Sequence, residues 1–474
     1  MKKILFVGSE ASPFAATGGL GDVLGSLPSA LNKTGEVDVR VVLPMYKSVA
    51  EKYKEKMTLL AEFTVSLSWR RLYCGVWSYE MGGVTYYFID NEYYFARPSL
   101  YGSYDDGERY AYFCRAVLEM LPIIGFMPDI LHAHDWQSAL TVIYLKRQYA
   151  YRDEYADMKA IYTIHNIGYQ GIYSFDILGD VFALDSWDRY VVEYDGCINL
   201  TKGAIVCADK LTTVSPTYVT EIRDEYYASG LHHIIRMYAH KCIGIINGID
   251  TDYYNPETDK DIVKCFDADS IEDKAENKAA LQKELGLEVS EDVPLVAMVS
   301  RLVSHKGFDL VKCVAHDIMN LNVQLVLLGT GDAEFEWFFS DLAWQYPGKC
   351  AVRLAFDKAL AKRIYAGADI FLMPSKSEPC GLAQMIASRY GTVPIVRETG
   401  GLVDTIKPYN PETGEGNGIT FASYNAHDML DAIWRAAELY RDADRWDELM
   451  RNAITMDFSW DASARKYLEM YNNF

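Results

Sequence analysis

Ile4-Leu5-Phe6-Val7 leads into Ala16-Thr17-Gly18-Gly19-Leu20-Gly21-Asp22, and Val393-Pro394-Ile395-Val396 leads into Glu398-Thr399-Gly400-Gly401-Leu402-Val403-Asp404. An apolar strand, a glycine loop and a helical pattern thus recur in the same order near the two ends of the chain. Residues without Cβ let backbone amides approach an anion, and the first turn of a helix adds partial positive charge. One such loop in isolation also reads as a tight turn in which glycine only relieves strain. Two copies in matching contexts predict two α/β domains that share a phosphate-bearing ligand.

Working outward from the first loop, apolar strand candidates recur at Ile4–Val7, Val37–Leu43, Val84–Ile89, Ile130–Ala133, Ala160–Ile164 and Leu211–Val214, with helical patterns between them. That alternation predicts a parallel sheet covered by helices. Leu20, Val23, Leu24, Leu27 and Leu31 fall at three- and four-residue spacing, so one helix face packs on the sheet, with Pro28 inside the pattern. Turn formers around Asn247-Gly248-Ile249-Asp250 and Asn255-Pro256, then the charged stretch 267–283, place the domain boundary there. Alternation restarts with Pro294–Val299, Val323–Leu328, Cys350–Phe356, Ile370–Pro374 and Val393–Val396. The expected division is 1–250, 251–456 and a C-terminal helix over 457–474 that crosses back to the first domain.

The 474 residues carry 46 Lys and Arg against 66 Asp and Glu, a net charge of −20, which repels nucleic acid and anionic membranes. Nine cysteines, odd in number and without a C-x-x-C pair, fit a reduced cytoplasmic setting. The apolar run after Lys2-Lys3 is too short for a signal peptide, and no stretch is long enough to span a membrane. His132-x-His134-Asp135 has a spacing compatible with a metal, but no third ligand lies nearby, and neither metal nor cofactor is expected. Neither glycine loop has the G-x-G-x-x-G spacing of a dehydrogenase.

Two further segments follow apolar strands. Ser300-Arg301-Leu302-Val303-Ser304-His305-Lys306-Gly307 places two cations where open α/β sheets bind ligands, suited to a diphosphate. Pro374-Ser375-Lys376-Ser377-Glu378-Pro379-Cys380-Gly381-Leu382 places a carboxylate beside amide donors, an arrangement able to hold sugar hydroxyls.

These motifs resemble the bacterial glycogen synthases and plant starch synthases, retaining glucosyltransferases of the GT-B fold, with two Rossmann-like domains facing each other across a cleft. The resemblance spans the chain, through Ser9-Glu10-Ala11, His134-Asp135-Trp136-Gln137, Thr163-Ile164-His165-Asn166, Gly329-Thr330-Gly331-Asp332 and Asp457-Phe458-Ser459-Trp460 besides the segments above. It implies transfer of glucose from ADP-glucose to the non-reducing 4-hydroxyl of an α-1,4-glucan, without a metal. By that resemblance Arg301, Lys306, His165 and Glu378 are catalytic. Gly18, Gly19, Asn247, Phe356, Cys380, Gly381, Leu382, Thr399, Gly400 and Gly401 bind the donor, and Asp22, Asp135 and Trp136 meet the acceptor. The implied mechanism is front-side substitution, which asks the protein for positioning and charge. One departure stands out: the family's first loop reads Lys-Thr-Gly-Gly-Leu, whereas Ala16 precedes Thr17 here. Two alternatives follow from Ala16: a changed donor such as UDP-glucose, or a weakly active glucan-binding paralogue.

Overall fold

The computed structural model describes residues 1–474. The chain divides into two compact units, one formed by Met1–Gly248 with Trp460–Phe474 and the other by Ile249–Ser459.

The first unit is built on a nine-stranded sheet in the order Cys242–Gly244, Lys210–Thr213, Lys159–Ile164, Ile130–His134, Lys2–Val7, Val37–Pro44, Val84–Asp90, Arg70–Met81 and Thr58–Leu67. The first seven are parallel, and the last two form an antiparallel hairpin on the edge. The central strands are buried on both faces, which is why they read as continuous apolar runs. The hairpin is more exposed and less regular, and the sequence reading did not resolve it. The helix Gly19–Lys33 buries Leu20, Val23, Leu24, Leu27 and Leu31 as its spacing predicts, with Pro28 in its interior. Chain direction across the sheet reverses between Lys2–Val7 and Ile130–His134, the point at which open sheets of this type leave a crevice at their carboxyl ends. The helix Trp460–Asn472 buries Trp460, Ala464, Tyr467, Leu468 and Tyr471 in this unit's core.

The second unit carries a six-stranded, wholly parallel sheet ordered Cys350–Arg353, Gln324–Leu328, Leu295–Val299, Ile370–Met373, Val393–Arg397 and Ile419–Phe421. Numbered along the chain this is 3-2-1-4-5-6, the Rossmann order, with its reversal between Leu295–Val299 and Ile370–Met373. The strand expected to reach Phe356 ends at Arg353, because Asp357 caps the next helix by accepting from the Leu360 amide at 2.9 Å and draws the chain out of the sheet.

The charged stretch taken as a boundary is in part the helix Lys274–Leu285, packed into the second unit. Lys278 is buried against Asp369 at 2.8 Å, and the Lys274 ammonium donates to the carbonyls of Tyr365 and Ala366 and to Thr392 Oγ1. Charge in that stretch therefore anchors the helix to its sheet. The two connecting segments pair, with the Ile249 amide donating to the Phe458 carbonyl at 2.8 Å.

Candidate active site

A cavity of about 130 Å³ opens at the reversal point of the six-stranded sheet, lined by Ser300, Lys306, Met373, Ser375, Glu378 and Leu382 among others. Lys306 Nζ donates to Glu378 Oε2 at 2.6 Å, and Ser375 Oγ donates to the same oxygen at 3.0 Å. Glu378 is buried, whereas Lys306 is half-buried, so the ammonium is the more accessible partner. Arg301 is exposed on the preceding loop. Burial, then the neighbouring cations Lys306 and Arg301, hold His305 below the ordinary histidine value, so this ring is neutral near pH 7. A half-buried ammonium on a buried carboxylate, with the Arg301 guanidinium on the adjoining loop, suits a ligand that brings both phosphate and hydroxyl groups.

The Glu378 loop is held from beneath. Arg397, buried at the end of its strand, donates from Nε to the Ser375 carbonyl at 2.7 Å and from NH2 to the Lys376 carbonyl at 2.6 Å. The Gly401 amide donates to the Glu378 and Pro379 carbonyls at 3.1 and 3.2 Å. Gly400 sits at φ +47°, and a Cβ there would lie 2.0 Å from the Glu378 carbonyl oxygen; one on Gly401 would lie 2.2 Å from that of Cys380. The second glycine loop is thus glycine because the Glu378–Cys380 backbone rests on it. Thr399, Gly400 and Gly401 are buried, as is Cys380, while Gly381 at φ +75° and Leu382 are partly open to the cavity. Phe356 stands apart on its loop, 86% exposed.

In the first unit, the carboxyl ends of Lys2–Val7, Ile130–His134 and Lys159–Ile164 gather a second group. Glu10 is only 3% exposed, yet its carboxylate accepts from the Thr17 amide at 2.5 Å, the Gly18 amide at 3.3 Å, Thr17 Oγ1 at 2.7 Å and the Tyr101 hydroxyl at 2.6 Å. The first glycine loop already holds an internal anion. Gly18 and Gly19 are exposed with open space around their Cα atoms, so access to the loop comes from the solvent side. Asp22 is exposed in the first turn of the following helix.

Asp135 adopts φ +58° and ψ 176°, a conformation costing about 1–3 kcal/mol for a residue with a side chain. Its Oδ1 accepts from the His165 amide at 2.8 Å, which offsets part of that cost and ties two strand ends together. Burial pushes the Asp135 carboxyl up to about 7 against the lowering effect of the amides of His165 and Asn166. The His165 ring, kept neutral by burial that pushes its value down to about 3, meets His134 Nδ1 through Nε2 at 3.0 Å. His132 is committed elsewhere, to the Tyr471 hydroxyl at 2.8 Å and Thr163 Oγ1 at 2.6 Å. The Trp136 ring packs edge-on to Tyr110 at 5.5 Å and near Tyr173 at 6.1 Å, which makes it partly a core residue. Asn247 is 5% exposed, and its Oδ1 is buried without a partner.

Arg301, Lys306, Glu378, Cys380, Gly381, Leu382, Thr399, Gly400 and Gly401 all belong to the second unit, and Lys306, Glu378, Gly381 and Leu382 line its cavity. Gly18, Gly19, Asp22, Asp135, Trp136, His165 and Asn247 belong to the first. Sequence reasoning assigned no part to Glu10, Tyr101, His134 or Arg397. An acidic residue shortly past the end of a buried strand, and an arginine ending another, were the available signals.

The starch synthase catalytic domain profile matches residues 3–237, and the profile of glycosyl transferases group 1 matches residues 283–453. The glycogen synthases of Geobacillus thermodenitrificans (strain NG80-2) and Geobacillus stearothermophilus are each 51% identical over 473 residues, covering 99% of this chain and 97% of theirs. The solved catalytic domain of starch synthase IV from Arabidopsis thaliana, bound to ADP and acarbose, superposes with a TM-score of 0.90 at 35% identity, covering 100% of this chain and 99% of that one. On these matches, together with two Rossmann-type sheets each carrying a glycine loop, the chain belongs to the glycogen synthase and starch synthase family and is a glucosyltransferase of the GT-B fold.

Proposed function

We propose that this protein extends an α-1,4-glucan by moving glucose from ADP-glucose to the non-reducing 4-hydroxyl, with retention of configuration, in the cytoplasm. The observation that carries the reading is the cavity at the sheet reversal, where Lys306 and Ser375 both donate to Glu378, with Arg301 on the same loop as Lys306 and close enough to act on His305. Arg301 and Lys306 stabilise the diphosphate as negative charge develops on it, the kind of contribution that dominates such steps. On donor arrival Lys306 divides its donors between phosphate and Glu378, and the carboxylate keeps acceptor capacity for sugar hydroxyls. Cys380, Gly381 and Leu382 supply amides, and Thr399, Gly400 and Gly401 fix that backbone. In the other unit Gly18, Gly19 and Asn247 contribute to donor binding, His165 stands beside the reacting carbon, and Asp22, Asp135 and Trp136 take the acceptor. Phe356 offers an exposed ring for stacking on a nucleobase. No helix of the chain is long and apolar enough to cross a membrane.

Identity near 50% with proteins named glycogen synthase, along the full chain, favours this reading over a changed donor or an inactive paralogue. The test is incorporation of labelled glucose into glycogen from ADP-glucose and UDP-glucose in parallel, with Arg301→Ala and Ala16→Lys alongside. Transfer from ADP-glucose that Arg301→Ala abolishes is the expected result. Faster transfer from UDP-glucose, or none from either donor, overturns it.

A further inference from the structure

His134 is completely buried and lies inside a column of three imidazoles. Its ring stacks on His132 at a centroid separation of 4.4 Å and 24° between planes, and on His165 at 5.3 Å and 30°. Phe6 closes the column from the neighbouring strand, 4.8 Å from His132 and 4.9 Å from His134. Both nitrogens of His132 are bonded to hydroxyls, so His134 has only His165 to address, through Nδ1 to Nε2 at 3.0 Å.

Burial holds His134 well below the ordinary histidine value, followed by the effects of His132 and His165, and burial holds His165 down as well. Two neutral rings joined by one N···N contact share one proton between them, so their tautomers are linked. If His165 donated, His134 would carry its proton on Nε2, a fully buried nitrogen with no acceptor in reach. If His134 donates, only a lone pair is left unpaired at that nitrogen. Orphaned buried N–H groups are the rarer outcome in folded proteins, and the second arrangement is favoured.

We propose that His134 is a positioning residue: it donates from Nδ1 to His165 Nε2 and thereby fixes His165 as the tautomer with its proton on Nδ1, the nitrogen turned away from His134. His165 then offers an N–H donor, suited to a sugar hydroxyl or to developing negative charge, and cannot serve as a base at that nitrogen. The Asp135 contact to the His165 amide holds the same strand end, so ring and backbone are fixed independently.

The inference rests on the placement of His165 in the transfer site, but its first test does not depend on activity. Long-range proton–nitrogen NMR of the full-length protein, with His165 assigned by the signals lost in His165→Gln, reports the tautomer directly. A protonated Nδ1 is expected, and a protonated Nε2 overturns the proposal. His134→Phe should let His165 populate both tautomers and lower kcat about tenfold with a smaller change in donor KM. His134→Asn, which retains a donor near the position of Nδ1, should restore the Nδ1 tautomer and most of the rate. A folded His134→Phe variant with unchanged tautomer and kcat refutes the role. Undiminished transfer by His165→Ala would remove His165 from the reaction while leaving the tautomer assignment standing.

Discussion

Gly401→Ala isolates the support of the Glu378 loop from its chemistry. Gly401 has ordinary backbone angles, so alanine brings no conformational penalty, and the whole effect is steric. The new Cβ would lie 2.2 Å from the Cys380 carbonyl oxygen and 2.5 Å from its Cα, both backbone atoms that cannot rotate away. Reaching the 3.0 Å floor of real Cβ contacts requires 3.0 − 2.2 = 0.8 Å of movement in the segment that carries Glu378, Cys380 and Gly381. A displacement near 1 Å in a positioning element costs about a hundredfold in rate, or about 2.7 kcal/mol of transition-state stabilisation. Overpacking should also remove about 1–3 kcal/mol of stability. Steady-state transfer from ADP-glucose, with urea denaturation of the same samples, measures both. Gly179→Ala is the control, since its Cβ would have nothing nearer than 3.8 Å. If Gly401→Ala keeps kcat/KM within threefold of the parent, the loop is not rigidly supported and the reasoning fails.

Lys306→Met leaves the buried Glu378 carboxylate with Ser375 as its side-chain partner, and kcat/KM should fall about a hundredfold or more; a double-mutant cycle with Glu378→Gln should show strong coupling between the two. Tyr471→Phe withdraws the hydroxyl from buried His132 and should cost about 1–3 kcal/mol, read as a lower Tm, with donor KM unchanged. Burial pushes His132 down to about 3, so between pH 6.5 and 3 the unfolded chain binds the proton that the folded one refuses; stability should be full above pH 6.5 and decline on acidification, with a shallower decline in His132→Gln. Burial likewise lowers Lys274 to about 7, so the unfolded chain is the better proton binder from there to 10.5; stability should rise with pH across that range, and Lys274→Met should flatten the rise in urea titrations.

The parallel strands were legible because a strand buried on both faces must be apolar throughout, and the second glycine loop because backbone resting on Gly400 and Gly401 leaves no room for a Cβ; Gly18 and Gly19 have open space around them, and the first loop was legible only by its likeness to the second. Lys306 and Glu378 were legible as residues following such strands. Their 2.6 Å pairing was not, because it joins segments 72 residues apart and depends on which strands are neighbours. The His134–His165 contact was hidden for the same reason: it depends on the register that pairs His134 with Thr163 on the adjacent strand. Glu10 illustrates a different limit. Seven residues separate it from Thr17, and only the folded-back backbone between them turns that spacing into a cluster of hydrogen bonds. The helix Lys274–Leu285 escaped notice because its buried positions are lysine, asparagine and glutamine as well as leucine, and burial of such residues is legible only through their partners.

The return of residues 460–474 to the first unit has a consequence for biosynthesis. Domains ordinarily complete their folding in the order in which they leave the ribosome. Here the unit that begins at Met1 lacks its last core helix until Trp460–Asn472 emerges, while the unit of residues 249–459 is one continuous stretch. The piece made second is therefore the first able to close. Until then the side of the nine-stranded sheet that receives Tyr467 and Tyr471 is exposed, and His132 waits for one of its two partners. Loss of a few residues from the C-terminal helix would thus act at the N-terminal sheet, as aggregation of nascent chain before any effect on catalysis.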